Sequence, residues 1–125
     1  MLDHVGLIVR SVSTSQAFYS AALKPLGYEL VVSGDATVAF GPPDQPLLWL
    51  SEAGEHESPT SPIHLALIAR DRPSVDAFYR AALEAGGRDN GPPGLRPEYH
   101  PNYYGAFVFD PDGHNLEAVS HAPPR

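Results

Sequence analysis

Residues 3–27, DHVGLIVRSVSTSQAFYSAALKPLG, and residues 63–87, IHLALIARDRPSVDAFYRAALEAGG, are one segment written twice. At a fixed offset of sixty, eleven of the twenty-five positions are identical: His4/His64, Leu7/Leu67, Ile8/Ile68, Arg10/Arg70, Ala17/Ala77, Phe18/Phe78, Tyr19/Tyr79, Ala21/Ala81, Ala22/Ala82, Leu23/Leu83 and Gly27/Gly87. Chance does not produce that density at a single spacing, so the chain is an internal duplication.

Each copy reads as a strand followed by a helix. Residues 2–10 and 62–70 are near-continuous apolar runs, the pattern of strands covered on both faces. Ser11 and Asp71 stand at equivalent positions, where a side-chain oxygen can accept from the first free N–H groups of a helix. Pro73 falls in the first turn, where its missing N–H costs nothing. Ala17, Phe18, Ala21 and Ala22, with their copies at 77, 78, 81 and 82, form the i, i+3, i+4 stripe of an amphipathic helix. The Phe and Tyr pairs in that stripe are read as packing.

After Gly27 the first copy continues as short strands near 28–33, 36–41 and 46–51, separated by Ser-Gly-Asp and Gly-Pro-Pro-Asp turns. The second copy closes with YYGAFVFDPDGHNLEAVSH, two strands around a DPDG turn in which His114 is expected to be exposed. Its remaining strand is indistinct, because residues 88–96 are rich in Gly and Pro. Setting Asp44 over Asp112 raises the offset to sixty-eight, so about eight extra residues fall within RDNGPPGLRPEYHPN, residues 88–102. Such a stretch is long enough for a functional loop or lid, and equally for a passive excursion.

The expected architecture is α+β: two tandem βαβββ modules forming a curved mixed sheet around a central cup, with helices outside. The 125 residues make a single domain. Its parts are module 1 over 1–51, a linker over 52–61, module 2 over 62–121 and a short tail over 122–125. Glu52, Glu55, His56 and Glu57 in the linker are expected to be solvated.

Composition narrows the function classes. A formal charge of −7 argues against nucleic acid or an anionic membrane as partner, since either needs a basic face. No apolar run approaches eighteen residues, and the N-terminus lacks a signal-peptide pattern. The absence of cysteine excludes disulfides, thiolate metal sites and a cysteine nucleophile. A cytoplasmic protein with a small-molecule partner is the expectation.

Taken alone, His4 is accounted for as a strand histidine with one satisfied hydrogen bond. The duplication changes that, because His4 and His64 are equivalent and converge if the modules face one another about a pseudo-twofold axis. Glu117 alternates with Asn115 and Val119 on one strand face, and a carboxylate in so apolar a strand requires a partner. Two imidazoles and one carboxylate suit a first-row divalent ion and leave coordination positions open. The other reading is a degenerate set, bonded to itself or to water.

The whole chain resembles the vicinal oxygen chelate superfamily, which includes glyoxalase I, extradiol dioxygenases, fosfomycin-resistance transferases and bleomycin-binding proteins. The resemblance rests on the doubled βαβββ pattern, the LDHVGLIV and PIHLALIA strands, the AFYSAAL and AFYRAAL helices, and the closing DPDGHNLEAV. Metal-dependent members take their ligands from the first and fourth strands of each module. Carried over, that implies His4, His64 and Glu117 around one divalent ion (Fe, Mn, Ni, Zn, Co or Mg). The fourth position falls on Trp49, whose indole cannot ligate; this departs from the four-ligand pattern of glyoxalase I and keeps a three-ligand arrangement. Trp49 is a candidate for stacking on a ligand, or a core aromatic.

His100, Tyr103 and Tyr104 follow the long loop and are candidate donors or proton relays behind the ligands. Adjacent strand residues face opposite ways, so only one of the two tyrosines is expected in the cup. His121 shares the phase of Glu117 at the terminus, and Arg10 and Arg70 are read as structural. The function implied is a metal-dependent enzyme acting on a small oxygen-chelating substrate, by glyoxalase-like lyase or isomerase, dioxygenase or thiol-transferase chemistry. The alternative is a metal-free drug-binding protein of the bleomycin-resistance type. The resemblance also implies a homodimer, with or without swapped modules, as an alternative to a closed monomer.

Overall fold

The computed structural model describes residues 1–124; Arg125, the last residue of the expected tail, lies outside the described residues. The order of elements is β1 (Val5–Val9), α1 (Val12–Ala22), a 3-10 turn (Lys24–Leu26), β2 (Glu29–Ser33), β3 (Thr37–Gly41) and β4 (Leu48–Glu52), then β5 (His64–Ile68), α2 (Arg72–Glu84), β6 (Arg88–Leu95), β7 (Tyr104–Phe109) and β8 (Asn115–Ser120). Each module builds its own four-stranded mixed sheet, ordered β1-β4-β3-β2 and β5-β8-β7-β6, and among the described residues no barrel closes. The parallel β1–β4 and β5–β8 pairs form one side of each sheet, with β1 and β5 at its edge.

Both helix caps form. Ser11 Oγ accepts from the Thr14 N–H at 3.2 Å, and Asp71 Oδ1 accepts from the Ser74 N–H at 2.9 Å. Glu52 is exposed, as expected, and its Oε1 also accepts from the Val12 N–H at 3.0 Å, which supplements the first cap. The helices pack on one another and on their own sheets, burying Phe18, Tyr19, Phe40, Phe78 and Leu116 in one continuous core. Strand β6 does form over the Gly/Pro-rich segment. It lies at a sheet edge, where Pro92 and Pro93 need donate no ladder hydrogen bond.

The DPDG turn ties the modules together. Asp110 Oδ2 accepts from the buried Tyr19 hydroxyl at 2.5 Å, while Oδ1 accepts from the N–H groups of Asp112 and His114 at 3.0 and 2.8 Å. Asp112 in turn receives the Arg10 guanidinium at 3.0 Å and the Ser15 hydroxyl at 3.4 Å. His114 is buried rather than exposed, because its Nδ1 accepts from the Ile63 N–H at 3.0 Å and draws the turn onto the start of β5.

One expectation about β1 and β5 does not hold. They are covered on one face only: Leu7, Val9 and Leu67 are buried, whereas Gly6, His64 and Ala66 on the other face are exposed and Ile68 is 69% exposed. Strand β5 also ends its sheet, with β8 as its sole neighbour among the described residues.

Candidate functional site

The open face of the second sheet holds the chemistry. Register places Ala66 opposite Glu117 and Phe107 opposite Glu117 on the other side, so these residues and His64 share one face. His64 Nε2 stands 2.7 Å from Glu117 Oε1, and Tyr103 donates its hydroxyl to Glu117 Oε2. Glu117 is fully buried, so both oxygens of a desolvated carboxylate are satisfied by these two side chains. Gly105 makes the arrangement possible: a Cβ there would lie 3.2 Å from both Glu117 Oε2 and Tyr103 Cε1.

Burial first, and then the hydrogen bond and charge of Glu117, hold the Tyr103 phenol well above the usual tyrosine range. Tyr103 is therefore a proton donor to the carboxylate throughout the neutral range. Tyr104 faces the opposite way, donating to Asp76 on α2 at 2.6 Å beneath the Arg72 guanidinium. His100 lies outside this pair. Its Nδ1 accepts from the Asn102 N–H at 3.1 Å, leaving Nε2–H to donate to His121 Nδ1 at 2.5 Å, with both rings against Tyr103.

The first module contributes the equivalent face without the equivalent chemistry. Trp49 is in register with Gly6, as Glu117 is with Ala66, so the offsets of sixty and sixty-eight are the true structural equivalences. His4 is exposed and bonds to Asp3 Oδ1 at 2.7 Å. Within one chain the structure brings His64 and Glu117 together and leaves His4 apart. Among the described residues, no group of three or more His, Cys, Asp or Glu side chains is gathered to hold a metal ion. An apolar cleft of about 340 Å³, lined by Leu2, Val5, Tyr28, Leu48, Leu65 and Ile68, opens beside β1 and β5, and neither His64 nor Glu117 lines it.

Sequence reasoning missed Arg96, whose guanidinium lies over the Phe107 ring on the face that carries Glu117. Its signal was an arginine inside the extra residues of module 2. It also missed Asp110 and Asp112 as the acceptors for Tyr19 and Arg10, though the repeated Arg and Tyr positions pointed to some such partner.

A family model for the glyoxalase/bleomycin resistance protein/dioxygenase superfamily matches residues 1–118. The chain belongs to that superfamily. Among solved superfamily structures, a glyoxalase/bleomycin resistance protein from Albidiferax ferrireducens superposes with a TM-score of 0.82 at 27% identity, covering 98% of this chain and 99% of that one. A glyoxalase I variant from Zea mays gives 0.74 at 26% identity, covering 96% of this chain and 46% of the maize chain. A lactoylglutathione lyase from Agrobacterium tumefaciens shares the fold, with a TM-score of 0.67 at 17% identity over 96% of this chain and 92% of that one. No curated protein matches the sequence. No helix among the described residues is long and apolar enough to cross a membrane.

Proposed function

We propose that the chain is a divalent-metal-dependent enzyme acting on a small substrate that chelates through oxygen, with His64 and Glu117 as one half of the metal site and His4 of the partner subunit in a homodimer as the third ligand. The observation that carries this reading is the His64–Glu117 contact of 2.7 Å around a fully buried carboxylate. An imidazole nitrogen and a carboxylate oxygen are the donors that first-row divalent ions take, so the set fits such a group. The uncovered face of β5, its unshared edge, and the equivalence of His4 with His64 about the pseudo-twofold axis support completion by a second copy.

A bound divalent ion supplies Lewis acidity to an oxygen of the substrate. His64 must then present Nε2 without its proton, which moves to Nδ1 or leaves. Tyr103 keeps its proton and donates it in a hydrogen bond to Glu117 Oε2, fixing the carboxylate with Oε1 against His64. Trp49 and Gly6 give the facing half an aromatic wall over an unobstructed floor, since a Cβ at Gly6 would meet nothing within 4 Å.

The test is elemental analysis of the purified protein, followed by titration with Ni²⁺, Mn²⁺ and Zn²⁺. His4→Ala, His64→Ala and Glu117→Gln should each abolish stoichiometric binding. Mixing the His4→Ala and His64→Ala chains should restore about one site in four, because only a mixed dimer holds one intact set. Unchanged stoichiometry in the variants would refute the ligand set; no recovery on mixing would refute the shared site. One observation favours a second reading, a metal-free binding protein: Glu117 already has both oxygens partnered by His64 and Tyr103. A native protein free of metal, with no uptake on soaking, would support it.

A further inference from the structure

Strand β6 presents a guanidinium that the proposed metal site leaves unused. Arg96 extends the β6–β7 ladder by donating its N–H to the Tyr103 carbonyl at 2.7 Å, and its side chain then folds back over the strand. Its Nη2 donates to the Pro92 carbonyl at 2.7 Å, and its Cζ stands 5.3 Å from the centre of the Phe107 ring. Two glycines make the space: a Cβ at Gly94 would lie 3.0 Å from Nη1, and one at Gly91 would lie 3.4 Å from Nη2. The same Phe107 ring is 6.1 Å from the His64 imidazole. Arg96 and the His64–Glu117 pair are therefore neighbours on one face, sharing a single aromatic ring.

The guanidinium lacks a counter-charge. Among the described residues no carboxylate forms an ion pair with Arg96, although the chain carries fifteen acidic residues against eight Lys and Arg. Two backbone carbonyls, of Pro92 and Leu95, are its acceptors, and a guanidinium has five N–H donors. A planar fork already held in place by a ring and a carbonyl loses little freedom on meeting an oxyanion, and matches its geometry bidentately.

We infer that Arg96 determines specificity by receiving an oxyanion of the substrate, a carboxylate or a phosphate, so that this face selects small acids over neutral or cationic molecules. This rests on the proposed metal site only for where the other end of the substrate lies. It also gives the extra residues of module 2 a purpose and turns this face against a cationic drug.

The test is calorimetric titration at fixed ionic strength with lactate, inorganic phosphate and neutral lactamide, on the native protein with and without EDTA, Arg96→Gln and Arg96→Lys. Lactate or phosphate should bind saturably, and the tighter of the two identifies the oxyanion. Arg96→Gln should weaken that anion about tenfold or more, the worth of a lost charge-assisted hydrogen bond. Arg96→Lys should keep part of the affinity, and lactamide should bind weakly to every variant. Melting temperatures separate lost recognition from lost folding. Native protein stripped of metal with EDTA should retain the Arg96-dependent anion binding, so a failed metal site leaves this result readable. Equal affinity of native protein and Arg96→Gln, equal binding of lactate and lactamide, or no saturable binding of either anion at tens of millimolar would each overturn the inference.

Discussion

Removing one oxygen atom from Tyr19 should loosen the whole molecule. Tyr19→Phe keeps the ring, which is edge-on to Phe18 at 5.0 Å between centroids and 6.1 Å from Phe40, so the packing stays and only the hydroxyl is lost. That hydroxyl donates at 2.5 Å to Asp110, and the two residues are 1% and 4% exposed. The lost interaction is thus a buried hydrogen bond to a carboxylate, worth about 1.5–3 kcal/mol. For a chain of this length about 1 kcal/mol moves the melting temperature by roughly 4 °C, so a fall of about 6–12 °C is expected. Burial, and then the Asp110 charge, push the Tyr19 phenol well above its ordinary value of 10.0. A group raised in the folded state contributes fully below its unfolded value and loses that contribution as pH rises past it. The gap between native protein and Tyr19→Phe should therefore be constant through neutral pH and close above about pH 10. Urea denaturation followed by circular dichroism from pH 7 upward measures both effects. A loss under about 0.5 kcal/mol at pH 7, or a gap that widens in alkali, would refute the reasoning.

Two further substitutions test the glycines. Gly105→Ala places a Cβ 3.2 Å from Glu117 Oε2 and Tyr103 Cε1, so it should displace the Tyr103 hydroxyl and cost about 1–3 kcal/mol in urea titration. No loss would mean that the carboxylate has room to spare. Gly87→Ala should cost a similar amount, because its Cβ would meet the Ala82 carbonyl oxygen and Phe18 Cε1 at 2.8 Å each. Gly6→Ala, facing open space, should leave stability within about 0.5 kcal/mol and serves as the control.

The duplication made half of this molecule legible, because strands, helices and caps are written locally and written twice. Ser11 and Asp71 cap as expected, and the shift from sixty to sixty-eight is the register of Trp49 with Gly6 and of Glu117 with Ala66. Identical letters still conceal different causes. Gly27 is required by a backbone φ of +84°, whereas its copy Gly87 is required by crowding, and the left-handed turn has moved to Gly86 at +100°. Long-range contacts were the illegible part. Glu52 reads as linker until the N-terminus of α1 comes to meet it, and His114 reads as a turn residue until Ile63 donates to it. The glycines that blurred β6 are the same ones that leave space for Arg96. Of the proposed ligands, the carboxylate and its histidine lie on paired strands of one sheet and meet directly, while His4 stands just before β1 in the other module.

The bond between Tyr19 and Asp110 also governs how two such chains would live together. It fastens α1 to the closing turn of the second module inside each chain, so parting the modules means tearing open the core. Copies that associate with this bond kept inside each chain do so ready-folded, as finished blocks. Labelled subunits in a mixed population would then change partners at the pace of simple dissociation, far faster than global unfolding allows.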